Sequence, residues 1–239
     1  MPYRKQHFVN YETYHIILRG IDDNLIFKDK DDYYRGIFSI YEFNTEKPIT
    51  IRDRRRIRIQ IKTLLLKEPN RGRASVADER DKLVEIFAFC FMPNHIHLLL
   101  RPIKDKGITK FMRKLGTGYG GYFNRKYSRK GYVFQNRFSA VHIKDNKQFK
   151  IVFVYIHTNP ISLTEPHWKE KGIKTPKKAI KFLENYKWSS YPDYIGKQNF
   201  PSVTDRKFTW RIMNKGQGCK NFVKYWIKYK GKIKEFPNF

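Results

Sequence analysis

The sequence predicts an α+β domain with the element order β-α-β-β-α-β, carrying a basic insertion and a C-terminal extension. Three observations predict it: a central apolar hairpin, two stretches with helical apolar spacing around it, and two strongly basic segments outside the series. With 239 residues, 40% hydrophobic and 16% aromatic, the chain can bury a sizeable core despite its charge.

The elements follow in order. YHIILRG at 14–20 alternates as a strand and stops at Gly20, and DKDDYYRGIFSIYEF from Asp29 spaces Tyr33, Ile37, Ile40 and Tyr41 as a helix does. EIFAFCFMPNHIHLLLR, from Glu85 to Arg101, is apolar except at Pro93-Asn94, and predicts two buried strands joined by a tight turn. Ile108, Phe111, Met112, Leu115, Tyr119, Tyr122 and Phe123 recur at helical spacing. Gly116, Gly118, Gly120 and Gly121 interrupt that helix at roughly 1 kcal/mol each, and close approach by another backbone would explain them. YVFQNRFSAVHI from Tyr132 predicts a strand, and KQFKIVFVYIHTN from Lys147 a helix that Pro160 ends near Asn159. Phe149, Val152, Phe153 and Ile156 form its buried stripe.

Two segments stand outside the series. Residues 47–80 hold 11 Lys and Arg against 4 Asp and Glu and read as a basic insertion. From about residue 166 to 239 a Lys-rich, Pro-punctuated stretch leads into an aromatic tail, expected to pack on the core of a 1–165 domain as an extension.

The formal net charge of +28, from 50 Lys and Arg against 22 Asp and Glu, calls for a polyanionic partner, with nucleic acid the first candidate. A membrane surface is disfavoured, since no apolar run approaches the roughly 18 residues of a spanning helix. The start MPYRKQHF lacks a signal-peptide core, and Cys90 and Cys219 form no disulfide or metal pattern, so a cytoplasmic location is expected.

His95 and His97 are the sharpest chemical feature. Two apart in a strand they share a face, where both imidazoles can reach one metal while Ile96 and Leu98 face the core; two unliganded histidines on a polar sheet face would read the same way. Tyr155 and Asn159 share a helix face. A tyrosine can attack phosphorus, and an asparagine oxygen can complete a metal site, although most of 16 tyrosines must serve packing or the surface. Between Ile103 and Arg137, 10 Lys and Arg face 1 Asp, with aromatics interleaved. Tyr122 and Phe123 read as core. Arg125, Lys126, Arg129 and Lys130 are the DNA candidates here, joined by Arg54, Arg55 and Arg56 in the insertion. Arg137 suits the DNA backbone or a structural salt bridge equally.

The pieces YHIILRGIDDNLIF, FCFMPNHIHLLLRP, FMRKLGTGYGGYFNRKYSRKGYVFQNRFSA, VYIHTNP and YKWSSYPDY touch most of residues 14–194. In this order they resemble the HUH single-strand tyrosine transposases of insertion sequences, within them the REP-associated branch. The resemblance implies a ferredoxin-like (RRM-like) antiparallel sheet with helices packed on one face. It implies His95, His97 and Asn159 as ligands of Mg²⁺ or Mn²⁺, and Tyr155 as a nucleophile that cuts single-stranded hairpin DNA and leaves a 5′-phosphotyrosyl enzyme. Such an enzyme is a metal-dependent transposase, a single-strand endonuclease and strand transferase, and it can act as a homodimer. Tyr191 and Tyr194 are the next candidates for the nucleophile. The insertion and the long tail depart from compact members of the family. Two other readings share the charge: a hairpin DNA- or RNA-binding module that does not cut, and a metal-dependent phosphodiesterase using water.

Overall fold

A computed structural model of the chain describes residues 7–54, 56, 59, 80–135 and 137–229. Strands β1 (Thr13–Arg19), β2 (Val84–Met92), β3 (His95–Pro102) and β4 (Ser139–Ile143) form one antiparallel sheet in the order β2-β3-β1-β4. Helices α1 (Lys30–Glu42) and α2 (Gly107–Lys126) make the two crossovers. The order is that of a ferredoxin-like sheet, as the resemblance implies.

Period-two alternation gives each strand two apolar faces. Ile16, Leu18, Ile96 and Leu98 point to one face, in a core completed by Ile37 and Ile40 of α1 and by Phe111, Leu115 and Tyr119 of α2. Cys90, Met92 and Leu99 point to the other face, where they meet Val152, Phe153 and Ile156 of helix α3 (Asn146–Thr158). The crossover helices thus share one face as expected, and α3 with the tail covers the second.

Helix α1 begins at a capping box in which the Asp29 carboxylate accepts from the Asp32 backbone N–H at 3.0 Å. The Asp32 side chain, fully buried, also accepts from Lys126 Nζ at 2.8 Å, Tyr122 Oη at 3.0 Å and Tyr127 Oη at 2.7 Å. The N-terminus of α1 and the last turn of α2 are therefore one charged knot. None of the four glycines inside α2 meets another backbone as expected; at Gly118 the close neighbour is a side chain, the Phe43 ring, with which a Cβ would collide. Gly116 and Gly121 face open space and Gly120 has ordinary clearance; nothing in the structure explains them.

The strand expected from Tyr132 is shorter than its sequence suggests. Phe134 makes an isolated bridge to Gly20, and regular pairing with β1 covers only Ser139–Ile143. Helix α3 starts at the Asp145 cap and gives way to a 3-10 turn at Asn159–Leu163, which contains Pro160. The tail holds α4 (Trp168–Lys171), α5 (Pro176–Asn185), α6 (Tyr191–Tyr194), α7 (Arg206–Met213) and α8 (Lys215–Tyr229).

The tail also closes the sheet. The N–H of Phe91 donates to the Trp188 carbonyl at 2.8 Å, and the N–H of Ser190 donates to the Phe89 carbonyl at 3.0 Å. Residues 188–190 therefore occupy the outer edge of β2, which would otherwise offer unpaired backbone groups. In β2 the register with β3 slips between Ile86 and Ala88, and the carbonyl of the extra residue Phe87 accepts from Tyr194 Oη at 2.5 Å. Trp168 of α4 meets Trp226 of α8 edge-on at 5.3 Å. Both rings are buried, and each contributes about 2–3 kcal/mol by leaving water.

Candidate active site

His95 and His97 project from β3 onto the face covered by α3, with ring centroids 4.8 Å apart. Antiparallel pairing of β1 with β3 sets Arg19 opposite His95 and Ile17 opposite His97, so His15 lies diagonally beside His97. The rings of His15 and His97 stack at 5.2 Å, with His15 Nε2 3.0 Å from His97 Nδ1. Helix α3 brings Tyr155 edge-on to both, at 5.7 Å from His97 and 5.9 Å from His15. The strand histidines and the helix tyrosine thus converge.

Asn159 is buried just beyond α3, and its side-chain amide donates to the Tyr155 carbonyl at 2.7 Å. That bond occupies the nitrogen and leaves Oδ1 as the atom with metal-binding character. Asn94, in the hairpin turn, accepts from His95 Nδ1 at 2.6 Å. Because an amide oxygen only accepts, Nδ1 carries the proton and Nε2 keeps its lone pair. His97 Nε2 is buried with no hydrogen-bond partner among the described residues. Among those residues no three His, Cys, Asp or Glu side chains gather on a single metal position.

Desolvation sets the protonation of these rings. Burial pulls His15 down to about 3. Burial, reinforced by Arg19 and Lys169 and opposed by Asp23, pulls His95 to about 4. His97 is driven well below the ordinary value by burial first and by its histidine and cationic neighbours after that. All three rings are neutral at pH 7, the form that binds metals.

Sequence reasoning missed His15, Asn94, Arg19 and Lys169. Lys169 of α4 sets its ammonium 3.4 Å from Tyr155 Oη and 5.1 Å from the centre of the ring. Its chain neighbour Trp168 is buried. Tyr191 and Tyr194 are fully buried, and burial pushes both phenols upward, which suits framework residues rather than nucleophiles. His157 faces away from the site and bonds to Ser190 Oγ at 2.8 Å.

The basic candidates divide. Lys126 is tied to Asp29 and Asp32, and its ammonium is held well above the ordinary value by those partners against the cost of burial. Arg54 pairs with the buried Glu42 at 3.4 Å. Arg55 and most of the 47–80 insertion lie outside the described residues. Arg56 and Arg125 meet at a cleft of about 910 Å³ with Arg35, Arg52 and Tyr122, on the α1/α2 side of the sheet. Arg129 lies over Phe123, while Lys130 is exposed. Arg137 is exposed in the segment that follows β1 past Arg19, where the Gln135 N–H donates to the Arg19 carbonyl at 2.9 Å.

Residues 68–159 match the family of IS200-like transposases. The match spans His95, His97 and Tyr155 and ends on Asn159, while His15 and Lys169 lie outside it. Among solved structures, the chain is similar to a REP-associated tyrosine transposase bound to a REP hairpin, at 16% identity and a TM-score of 0.43, over 86% of this chain and 94% of that one. It is also similar to a candidate transposase from Deinococcus radiodurans R1, at 13% identity and a TM-score of 0.32, over 63% of this chain and 93% of that one. No curated protein matches. No described helix is long and apolar enough to cross a membrane.

Proposed function

We propose that the chain cuts and rejoins single-stranded DNA bearing a hairpin, with Tyr155 as the nucleophile. The observation that carries this reading is the position of Tyr155, edge-on to His97 and with its hydroxyl beside the Lys169 ammonium. Neutral imidazoles, with Nε2 of His95 left free to coordinate by the Asn94 bond and Nε2 of His97 buried without a hydrogen-bond partner among the described residues, suit a divalent cation such as Mg²⁺ or Mn²⁺ held by His95, His97 and Asn159. When bound, such an ion would polarise the scissile phosphate.

The chain's own residues do the rest. The Tyr155 phenolic oxygen attacks phosphorus, the bond from phosphorus to the 3′ oxygen breaks, and in balance the phenolic proton is exchanged for a proton on the 3′-OH. The phosphodiester energy stays in the 5′-phosphotyrosyl bond, so a second 3′-OH can reverse the step without a nucleotide cofactor. Lys169 attracts negative charge to the Tyr155 oxygen, whether phenolate or phosphate ester. Arg19 and Arg137 stand at the end of the sheet where the DNA backbone would enter.

The test is to incubate the protein with hairpin oligonucleotides from the flanks of its coding sequence plus Mn²⁺, then search for a denaturation-resistant adduct by mass spectrometry. An adduct on Tyr155 that disappears in Tyr155→Phe is the expected result. Cleavage without any adduct would favour water as the nucleophile, and salt-sensitive binding without cleavage would favour a binding module.

A further inference from the structure

We infer that His15 is a positioning residue which, as the acceptor for His97 Nδ1, fixes the tautomer that presents Nε2 of His97 to a metal. The inference rests on the reading of His95 and His97 as metal ligands.

A neutral imidazole carries one proton. If His15 Nε2 held the proton shared across the 3.0 Å contact, His97 Nδ1 would accept it and the His97 proton would sit on Nε2, closing that atom to a cation. If His97 Nδ1 holds it, Nε2 keeps a lone pair, and this atom is the buried one with no hydrogen-bond partner among the described residues. Metal binding and the direction of the His97–His15 bond are then one event. His95 shows the same design in a simpler form, since Asn94 Oδ1 can only accept and leaves one tautomer. Each imidazole of the pair therefore has an acceptor behind it, an amide for the more exposed ring and a second imidazole for the buried one.

The place of His15 supports the role. It is fully buried, stacks on His97 with an interplanar angle of 21°, and also meets the Tyr155 ring edge-on. Period-two alternation in YHIILR puts His15, Ile17 and Arg19 on the histidine face, where an apolar residue would be the ordinary choice. Removing such an outer partner typically weakens metal affinity about 10- to 100-fold.

The experiment titrates the full-length protein with Co²⁺ and follows its visible absorption, comparing wild type with His15→Phe, His15→Gln and the double variant His95→Ala/His97→Ala. Phe keeps a ring of similar size without an acceptor, whereas Gln can return an acceptor oxygen to the position of Nε2. We expect His15→Phe to bind Co²⁺ about 10- to 100-fold more weakly with an unchanged far-ultraviolet circular dichroism spectrum. His15→Gln should stay close to wild type in affinity and in band shape. Wild-type affinity in His15→Phe would overturn the inference while leaving the metal reading intact, and so would equal weakening in His15→Gln and His15→Phe. A changed band shape in His15→Gln would make His15 a ligand instead, which also overturns it. Binding undiminished in the double variant, or no binding by the wild type, would remove the metal reading and the inference with it.

Discussion

The ammonium of Lys169 lies 3.4 Å from the hydroxyl of Tyr155, so the C-terminal tail sets a cation beside a tyrosine of the segment that matches the IS200-like family. Lys169→Met should slow formation of the tyrosyl adduct about tenfold, or about 1.4 kcal/mol in the barrier, with little change in DNA binding. Lys169→Arg should recover part of the rate. Single-turnover adduct formation on a denaturing gel reads both, and an equal rate in Lys169→Met would reduce the lysine to a surface residue with no part in the reaction.

Replacing His95 and His97 together with Ala should abolish metal-dependent cleavage and spare most of the salt-sensitive DNA binding, because the basic clefts lie elsewhere on the sheet. Cleavage and filter-binding measurements on the same preparation separate the two. Cleavage at the wild-type rate would end the metal role.

The knot at Asp32 predicts an acid limit to stability. Burial raises its carboxyl, but hydrogen bonds from Lys126, Tyr127, the Lys28 backbone and Tyr122 outweigh that, and the net shift is downward from 3.8. A depressed carboxylate stabilises the fold above its unfolded value, and the contribution fades as pH falls through the folded value. Thermal melts of the wild type should therefore lose stability below about pH 4, and Asp32→Asn should flatten that loss. At pH 7, Asp32→Ala should cost about 2–3 kcal/mol, since it leaves Lys126 without its buried partner; the Lys126 side chain is 26% exposed, which tempers the cost. A melt unchanged at pH 7 would mean that water replaces the carboxylate fully.

Arg56 and Arg125 meet at one cleft, whereas Arg54 is tied to the buried Glu42, so the first two are the cleaner probes of DNA affinity. Their double replacement by Ser should weaken binding and lower the salt slope by about 1 for each phosphate that the cleft no longer neutralises. A slope equal to that of the wild type would exclude this cleft from the DNA path.

Much of the site is legible in the sequence because it follows local periods. Two histidines two apart in a strand must share a face, and Tyr155 and Asn159, one turn apart, must share a side of the α3 end. Asp29 and the Pro93-Asn94 turn likewise announce the start of α1 and the hairpin. What escapes is what depends on register or on distant packing. His15 comes beside His97 only through the pairing of β1 with β3, 82 residues apart in sequence, and no spacing rule encodes it. Lys169 reaches Tyr155 through the packing of the tail, where its neighbour Trp168 meets Trp226, and no local period encodes that. Lys126 looks like a free cation in a basic run until α1 brings two carboxylates to it. The strand expected from Tyr132 shortens because Phe134 pairs with Gly20 beyond the regular ladder of β1.

The central position of β1 bears on how this protein can be dissected. β1 lies between β3 and β4 and pairs with both, yet it precedes the family segment in the chain. An excised piece bounded by residues 68 and 159 would keep β2, β3 and β4 but lack the strand that joins the last two, and with it the ring behind His97. In such a piece β2 and β3 could still pair, but β4 would have no neighbour. The smallest unit worth grafting onto another scaffold, or dividing for complementation, must therefore begin before Thr13, and split halves would have to exchange that strand to regain a shared architecture.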